Sequence, residues 1–436
     1  MMEKIGGKYE IIRKLGEGAT STVFLSFDPF AEREVAIKRI FPDMLKDRER
    51  GKLYRHLLIN EASLAGKLIH PHIVQIYDAV VGEDESYIVM EYAPGGTLEP
   101  YCNPDTLLPI ERVVEIIFKC TRALEYANRL GITHRDIKPA NILLSQAIDM
   151  GDQADVDIKI SDFGACIQTG DEHTQTQVTG VGSPAYMSPE QVRELTLNHQ
   201  TDIYALGVVM YQLLAGRLPF QASSNYGMIY QICNIDPPPP STFRNDIPAA
   251  IDTIVARAMQ KELKDRYATW AEFAHDLAQA FRNRELAARQ QEVPDSEKFE
   301  TLRALHFFDD FTDVEIWEIV RFAEWEAVGA TTRLMKDGEL GDYFCFVLEG
   351  EVQVSKEGRP LGILGRGEVI GEIAVIDRRH PRRVAEVVTL TDARIVVIHG
   401  HSLRQASDAC QMHFYQGFLL VLSERLARTN VLLAHT

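Results

Sequence analysis

The residues best suited to chemistry in this chain begin with a glycine-containing segment near its start. Residues 15–23 read Leu-Gly-Glu-Gly-Ala-Thr-Ser-Thr-Val between two candidate strands. Gly16 and Gly18 lack a Cβ, so backbone N–H groups there could approach phosphate oxygens closely. Ser21 stands where such loops often carry a third glycine, and an ordinary hairpin turn is the alternative interpretation of this segment taken alone.

Further groups follow this loop in a fixed order. Lys38 ends a short strand pattern and could pair with phosphates, while Glu61 lies on the next predicted helix, positioned to hold that lysine. Residues 134–141 (His-Arg-Asp-Ile-Lys-Pro-Ala-Asn), 162–164 (Asp-Phe-Gly) and 188–190 (Ser-Pro-Glu) come later. Together these motifs resemble those of the eukaryotic-type (Hanks-type) protein kinases, each in the expected strand or loop context.

The resemblance implies transfer of a phosphoryl group, a reaction in which the protein positions the reactants and neutralises charge. It assigns Asp136 to orient the acceptor hydroxyl and take its proton, and Lys138 to neutralise charge on the γ-phosphate. Asn141 and Asp162 would supply oxygen ligands for Mg²⁺, or for Mn²⁺ in its place. The alternative is an inactive kinase fold, which needs a lesion at one of these positions, and the sequence has none.

The same resemblance predicts an ATP site shared by the glycine loop, the first strands, the hinge and the catalytic loop. Met90 would lie behind the adenine, and the backbone of residues 91–93 would form hydrogen bonds with it. The residues expected to bind ATP are Leu15, Gly16, Gly18, Val23, Ala36, Lys38, Glu61, Met90, Glu91, Ala93, Asn141 and Asp162.

The resemblance implies that the phosphate acceptors are serine and threonine residues of proteins, including this protein itself. Lys138, two residues after Asp136, resembles the serine/threonine-specific branch of the family. Arg135 stands where an arginine commonly forms an ion pair with a phosphorylated residue of the activation loop, and that phosphate could order the loop. The predicted phosphorylation sites are Thr174, Thr176 and Thr179. Polar loop residues without this role are the alternative.

The elements that must position these residues form two lobes. Between residues 9 and 90, short β-rich runs enclose one helix, and from Glu111 onward apolar residues recur at helical spacing. We therefore expect a small strand-rich lobe followed by a larger helical one, with residues 9–281 as the kinase catalytic domain. Residues 282–298 are expected to form a charged, helical linker, in which the helix stops before Pro294.

After residue 300 the sequence changes to short strands separated by frequent glycines, which is typical of a compact β-roll or barrel. Residues 299–436 resemble the cyclic nucleotide-binding domain of catabolite activators and of protein-kinase-A regulatory subunits. Residues 307–312 resemble its first helix, and a last helix is predicted over about residues 409–433. The predicted fold class is α+β: a bilobal protein kinase fold followed by a β-roll with flanking helices.

The most diagnostic segment of the second domain is residues 371–374, followed later by Arg383. It resembles the phosphate-binding cassette, in which a short helix start directs N–H groups at a cyclic phosphate. The resemblance implies that Glu372 accepts a hydrogen bond from the ribose 2′-hydroxyl and that Arg383 neutralises the phosphate. The residues predicted to bind cAMP or cGMP are Gly371, Glu372, Ile373, Ala374, Arg383 and Val384.

The cassette leaves alternatives open. Arg382 is a rival for the phosphate arginine, although Arg383 places Ala385 and Val387 at the spacing of the family. Val384 lacks the hydroxyl that often adds a phosphate or guanine contact, which favours cAMP over cGMP. The other alternative is a degenerate roll that binds no nucleotide and serves for docking or for forming a homodimer, since a fold does not fix its ligand.

Composition excludes several other classes of protein. The 436 residues are 45% hydrophobic and 25% charged with a net charge of −17, which is ordinary for globular domains and unfavourable for nucleic-acid binding. After the roll only one helix fits, with Arg425 and Arg428 as a sparse basic complement, so there is no room for a helix-turn-helix. Six scattered cysteines indicate neither a zinc site nor a disulfide framework. No apolar run is long enough to predict a transmembrane helix, and we expect a cytoplasmic protein.

Overall fold

The structure, a computed structural model, describes residues 4–18, 20–46, 51–64, 66–82, 85–148, 156–165, 167–168, 184–282, 295–376 and 382–434. The chain forms two compact units, Met1–Gln290 and Gln291–Thr436. The first joins a β-sheet to a mainly helical lobe and the second is a β-roll with flanking helices, so the expected α+β class is confirmed. The domain limits 9–281, 282–298 and 299–436 stay predictions.

The first unit begins with a six-stranded antiparallel sheet. Its strands are β1 (Lys4–Ile5), β2 (Tyr9–Glu17), β3 (Ser21–Asp28), β4 (Arg33–Ile40), β5 (Ile76–Val81) and β6 (Ser86–Glu91). They lie in the order β1-β2-β3-β4-β6-β5, and two helices, α1 (Pro42–Lys46) and α2 (Gly51–Ser63), connect β4 to β5.

Side chains of β4 alternate between the two faces of this sheet. Val35 and Ile37 are fully buried on one face, in an apolar cluster with Tyr9. Successive residues of a strand point to opposite faces, so Ala36 and Lys38 lie on the other face. The alternation therefore places one lysine on the side of the sheet opposite to its apolar cluster.

The larger lobe of the first unit is mainly helical. Its helices are α3 (Ile110–Arg129), α4 (Pro189–Val192), α5 (Gln200–Ala215), α6 (Asn225–Asn234), α7 (Ala249–Ala258) and α8 (Trp270–Arg282). Short strands β7 (Ile132–Thr133), β8 (Ile142–Leu144), β9 (Ile158–Ile160) and β10 (Ile167–Gln168) pair as β7 with β10 and β8 with β9. Helix α5 is apolar on almost every side and almost wholly buried, as expected for the central helix of a lobe.

The second unit contains two four-stranded sheets that enclose an apolar core. Its strands are β11 (Glu324–Val328), β12 (Arg333–Met335), β13 (Tyr343–Glu349), β14 (Val352–Lys356), β15 (Arg359–Leu364), β16 (Val369–Ile370), β17 (Glu386–Thr389) and β18 (Ala393–His399). The orders are β11-β18-β13-β16 and β12-β17-β14-β15. The flanking helices are α9 (Asp295–Arg303), α10 (Asp313–Phe322), α11 (Glu372–Ile376), α12 (Gly400–Gln405) and α13 (Asp408–Ala434).

The first helix of the roll does not lie where the sequence predicts it. Residues 307–312 were expected to be helical, but only a 3₁₀ turn, His306–Phe308, forms there. The α-helix starts at Asp313 because the Thr312 side chain accepts from the Glu315 N–H while the Glu315 side chain accepts from the Thr312 N–H. This reciprocal cap fixes the helix start.

Aromatic rings attach the long final helix α13 to the roll. Phe414 and Phe418 are fully buried and contact the ring of Phe307, with centroids 5.9 Å and 5.7 Å away. Gly417 leaves space for that ring, since an added Cβ would lie 2.6 Å from it. Within the described residues, no helix is long and apolar enough to cross a membrane.

A buried ion pair connects two distant parts of the helical lobe. Arg266 precedes α8, is 2% exposed, and donates to both carboxylate oxygens of Glu190 at 2.8 Å and 3.1 Å. Glu190 also accepts from the Thr201 hydroxyl at 2.9 Å, which brings α5 into the same network. Removing one partner of such a pair leaves the other charge buried without compensation.

Arg266→Ala is therefore expected to lower the free energy of unfolding of the first unit by about 3–5 kcal/mol, because Glu190 keeps its buried charge. Arg129→Ala is the control, since Arg129 is half-exposed and its pair with Glu125 is worth only about 1 kcal/mol or less. Calorimetric melting of the full chain measures both variants. Equal losses for the two would contradict a special role for the buried pair.

Candidate active site

The expected ATP-contacting residues of the sheet share one face. In the strand register, Gly16 lies opposite Val23, and Val23 lies opposite Lys38. Ala36 lies opposite Met90 on β6. Directly paired residues point to the same face, so Val23, Ala36, Lys38 and Met90 line a single surface. The half-buried Leu15 and the exposed Gly18 lie at the end of β2 beside this surface.

Lys38 contacts two carboxylates from different parts of the unit. Its Nζ donates to Glu61 Oε2 at 3.0 Å and to Asp162 Oδ1 at 2.8 Å. Burial lowers the pKa of Lys38, but the charges of Asp162 and Glu61 outweigh it, so the pKa lies above its usual value. Lys38 in turn holds the pKa of Asp162 below its usual range, whereas burial raises the pKa of Glu61. The lysine is thus a fixed positive charge.

A buried aspartate holds the loop of residues 134–141. Asp202 on α5 is 2% exposed, and its two oxygens accept from the backbone N–H groups of His134 and Arg135, each at 2.7 Å. Burial raises the pKa of Asp202. Arg135 has a left-handed backbone (φ 71°), and its carbonyl accepts from the Gln191 side chain at 2.9 Å. These bonds stabilise a conformation that non-glycine residues rarely adopt.

The polar side chains of this loop converge on Asp136. Lys138 Nζ donates to Asp136 Oδ2 at 2.7 Å. Asn141 Nδ2 donates to the Asp136 carbonyl at 2.8 Å and to its Oδ2 at 3.1 Å. The Asp136 side chain is 36% exposed, so the carboxylate is held in place and still reachable from solvent. This arrangement suits a group that must meet an incoming hydroxyl.

The residues expected to hold a divalent cation fit that role chemically. Asn141 uses its amide nitrogen on Asp136, which leaves the amide oxygen as the atom for a cation. The Asn141 carbonyl accepts from the backbone N–H of Ser161, the neighbour of Asp162, at 2.9 Å. An amide oxygen and a carboxylate are ligands that Mg²⁺ prefers.

The hinge, residues 91–93, forms contacts within the protein. Glu91 lies at the end of β6 and pairs with Lys159 at 2.9 Å, and its N–H donates to the Gln75 carbonyl. Ala93 follows the strand and is 9% exposed.

The predicted phosphorylation sites Thr174, Thr176 and Thr179 lie outside the described residues.

The second candidate site surrounds Arg383 in the roll. Arg383 is 3% exposed, and its Nη1 donates to the Tyr343 carbonyl at 2.7 Å and to the Gly371 carbonyl at 3.1 Å. Among the residues that the structure describes, its Nε and Nη2 are buried without a hydrogen-bond partner. The rival Arg382 is exposed and donates to the Gly338 carbonyl at 2.7 Å. A buried guanidinium with two unpaired nitrogens is a ready partner for an anion.

Glu372 lies near Arg383 in the folded roll but forms an ion pair with a different arginine, Arg425. Its Oε1 accepts from Arg425 Nη1 at 2.8 Å, and burial raises the pKa of Glu372. Ala374 is buried, Ile373 is half-buried and Val384 is half-exposed. From the sequence alone, Arg425 is only part of a sparse basic complement of the last helix. No local motif marks it, because it lies 53 residues from Glu372.

Two family models match this chain. Residues 9–278 match the protein kinase domain, and residues 326–409 match the cyclic nucleotide-binding domain. The chain therefore belongs to the protein kinase family, and the expected resemblance to that family is confirmed.

Its relatives are bacterial kinases of greater length. The chain is 37% identical over 284 residues to serine/threonine-protein kinase PknB of Mycolicibacterium smegmatis, covering 63% of this chain and 43% of that protein. It is 36% identical over 282 residues to serine/threonine-protein kinase PrkC of Bacillus subtilis, covering 64% and 41%. The chain spans less than half the length of these relatives. A solved PknI kinase domain of Mycobacterium tuberculosis covers 64% of this chain at 28% identity, with a TM-score of 0.49.

A glycine beside Arg383 offers a test of the packing around that side chain. A Cβ added at Gly341 would lie 2.2 Å from Arg383 Nε, whereas one added at Gly362 meets no atom within 4 Å. Gly341→Ala is expected to lower the free energy of unfolding of the second unit by about 1–3 kcal/mol through overpacking. Gly362→Ala is the matched control and should have little effect. Indistinguishable melting of the two variants would show that Arg383 does not fill the space beside Gly341.

Proposed function

We propose that the first unit is an ATP-dependent serine/threonine protein kinase that transfers the γ-phosphate to Ser or Thr of proteins, including itself. The observation that carries this proposal is the contact of Lys38 with both Glu61 and Asp162, at 3.0 Å and 2.8 Å. This contact joins the sheet to α2 and to the segment after β9. A lysine held between two carboxylates is a fixed cation for the α- and β-phosphates of ATP.

Asp136 receives the hydroxyl of the substrate residue and takes its proton. The neighbouring Lys138 keeps a positive charge beside that carboxylate, where the transferring phosphoryl group carries its negative charge. Asp202 fixes the positions of both side chains because it binds the backbone N–H groups of the two residues that precede Asp136. Positioning supplies most of the rate in phosphoryl transfer, so the rigidity of this loop is itself catalytic.

Adenine and phosphates bind across the surface of the sheet described above. Val23, Ala36 and Met90 supply the apolar walls for the base, and the backbone at residues 91–93 supplies its hydrogen bonds. Asn141 and Asp162 would hold Mg²⁺, or Mn²⁺ in its place. When bound, the cation neutralises phosphate charge and orients the oxygens.

Asp136→Asn and Lys38→Met are each expected to lower autophosphorylation by at least about 10²–10⁴-fold, because each loses one function that the reaction needs. Lys4→Met is the control, since Lys4 is a half-exposed strand lysine that pairs with Glu10 far from this site. Transfer of labelled phosphate from ATP measures all three in the full chain. Phosphopeptide mapping of the active protein should place phosphate on Thr174, Thr176 or Thr179. Near-normal activity of either site variant would overturn the assignment.

We further propose that the second unit binds a cyclic nucleotide and thereby regulates the kinase. The observation that carries this is the buried Arg383, whose Nε and Nη2 have no hydrogen-bond partner within the described part of the chain. Leaving a buried guanidinium partly unpaired costs free energy, which a bound phosphate would recover. The ring of Tyr343 lies 4.2 Å from the guanidinium carbon and holds it from one side.

Among cyclic nucleotides, cAMP is favoured over cGMP. Val384 is half-exposed and offers no hydroxyl for a guanine contact.

Regulation requires that the ligand favour one arrangement of the protein over another, since a ligand with equal affinity for both arrangements does not change their populations. We expect cAMP to raise phosphoryl transfer by the full chain. The alternative is a roll that serves as an interaction or dimerisation module.

Arg383→Ala is expected to weaken cAMP binding by about ten- to a hundredfold, because the phosphate loses its buried cation. Arg382→Ala, the matched exposed neighbour, should weaken it by less than about threefold. Titration calorimetry with cAMP and cGMP measures both variants. If folded wild-type protein binds neither nucleotide at millimolar concentration, nucleotide binding is excluded and the interaction module remains as the interpretation. Sedimentation would then test for a homodimer.

A further inference from the structure

One arginine of the final helix reaches the cassette of the roll. Arg425 on α13 donates through Nη1 to Glu372 Oε1 at 2.8 Å and through Nη2 to the Val369 carbonyl. Val369 lies on β16 and Glu372 begins α11, so the guanidinium bridges the two elements that flank Gly371. A single side chain thus joins a helix to both ends of the segment predicted to face the nucleotide.

This contact acts against the neutral form of Glu372 that burial favours. The Glu372 side chain is 2% exposed, and an isolated carboxyl at such a depth would favour its neutral form. Burial raises the pKa of Glu372, while the positive charges of Arg425 and Arg383 act against that increase. Hydrogen bonds to an ionised acceptor are about twice as strong as those to a neutral one. Arg425 therefore favours the form of Glu372 that best accepts a hydroxyl.

The contact also leaves room for a ligand on the same carboxylate. Arg425 bonds to Oε1 of Glu372. A carboxylate has two oxygens and about four acceptor sites, so the bond from Arg425 does not exhaust the capacity of Glu372 to accept. Arg425 and a ribose can consequently share Glu372 without competing for it.

Attachment of α13 does not require this arginine. The buried rings of Phe414 and Phe418 already hold the helix against the roll. Arg425 lies beyond them and is 34% exposed, and a cation so accessible would gain little from a surface carboxylate. Its partner is instead one of the most deeply buried carboxylates of the unit. A role for the arginine in the pocket explains this choice of partner better than a role in helix docking.

We propose that Arg425 is a positioning residue of the nucleotide pocket, which holds Glu372 ionised and oriented for the ribose 2′-hydroxyl and so couples pocket occupancy to α13. This proposal rests on the proposed binding of a cyclic nucleotide by the second unit. By linkage, a ligand that binds Glu372 better when Arg425 is in contact must strengthen that contact by the same factor.

The test compares cAMP with 2′-deoxy-cAMP, which lacks the hydroxyl that Glu372 is expected to bind. Wild-type full chain should bind cAMP about tenfold more tightly than the deoxy nucleotide. Arg425→Ala should weaken cAMP binding by about five- to twentyfold and change deoxy-nucleotide binding by less than about twofold, which removes the preference. Arg425→Lys should restore part of it, since a cation returns without the second bond.

Two further variants separate this role from a structural one. Glu372→Gln should lose the same preference, and the double variant with Arg425→Ala should lose nothing more, because both changes remove one interaction. Arg394→Ala is the control: Arg394 pairs with Glu349 at the surface and should leave both affinities unchanged. Thermal melting shows whether each variant is folded.

The outcomes distinguish the two levels of the proposal. Wild-type protein that binds neither nucleotide overturns the proposed function, and this inference with it. Wild-type protein that binds cAMP, while folded Arg425→Ala keeps the full preference over 2′-deoxy-cAMP, overturns the inference alone.

Discussion

The geometry of the kinase site depends on a carboxylate that solvent does not reach. Asp202 accepts two backbone N–H groups at 2.7 Å and thereby sets the path of the chain into residues 134–141. Asp136, Lys138 and Asn141 then follow within one short segment, and their mutual hydrogen bonds form only if the chain enters it in this way. Backbone donors suit this role because they have no rotamers to order, so the loop loses little side-chain entropy when it is fixed.

Buried charge has two different uses in this protein. Arg266 is buried with both oxygens of Glu190 and further acceptors, and this satisfied network connects helices. Arg383 is buried to a similar degree, yet among the described residues only its Nη1 has hydrogen-bond partners. The first pattern is that of a brace and the second that of a binding group, since unpaired buried donors cost free energy until a ligand meets them. Burial alone does not separate the two, whereas the completeness of the hydrogen bonding does.

The sequence predicts features that depend on local motifs. It does not predict contacts between residues that are far apart in sequence and meet only in the folded chain. Lys38 and Glu61 are predictable as a pair because a strand pattern and a helix pattern each place their residue on a known face. The start of α10 has a local signal, since Thr312 and Glu315 have the spacing of a capping box, but the family resemblance assigns the helix to residues 307–312 instead. The contact of Arg425 with Glu372 has no local signal, because it exists only once α13 has folded back along the roll.

The seat of Phe307 against Gly417 constrains how α13 can move. The ring occupies the place of a side chain on the helix, so sliding α13 along its own axis would drive neighbouring side chains into it. A swing about this point keeps the contact. Arg425 lies eight residues further along, about 12 Å from the seat, so a rotation of some ten degrees displaces it by about 2 Å. The packing at Gly417 therefore opposes sliding of α13 more than rotation about this point.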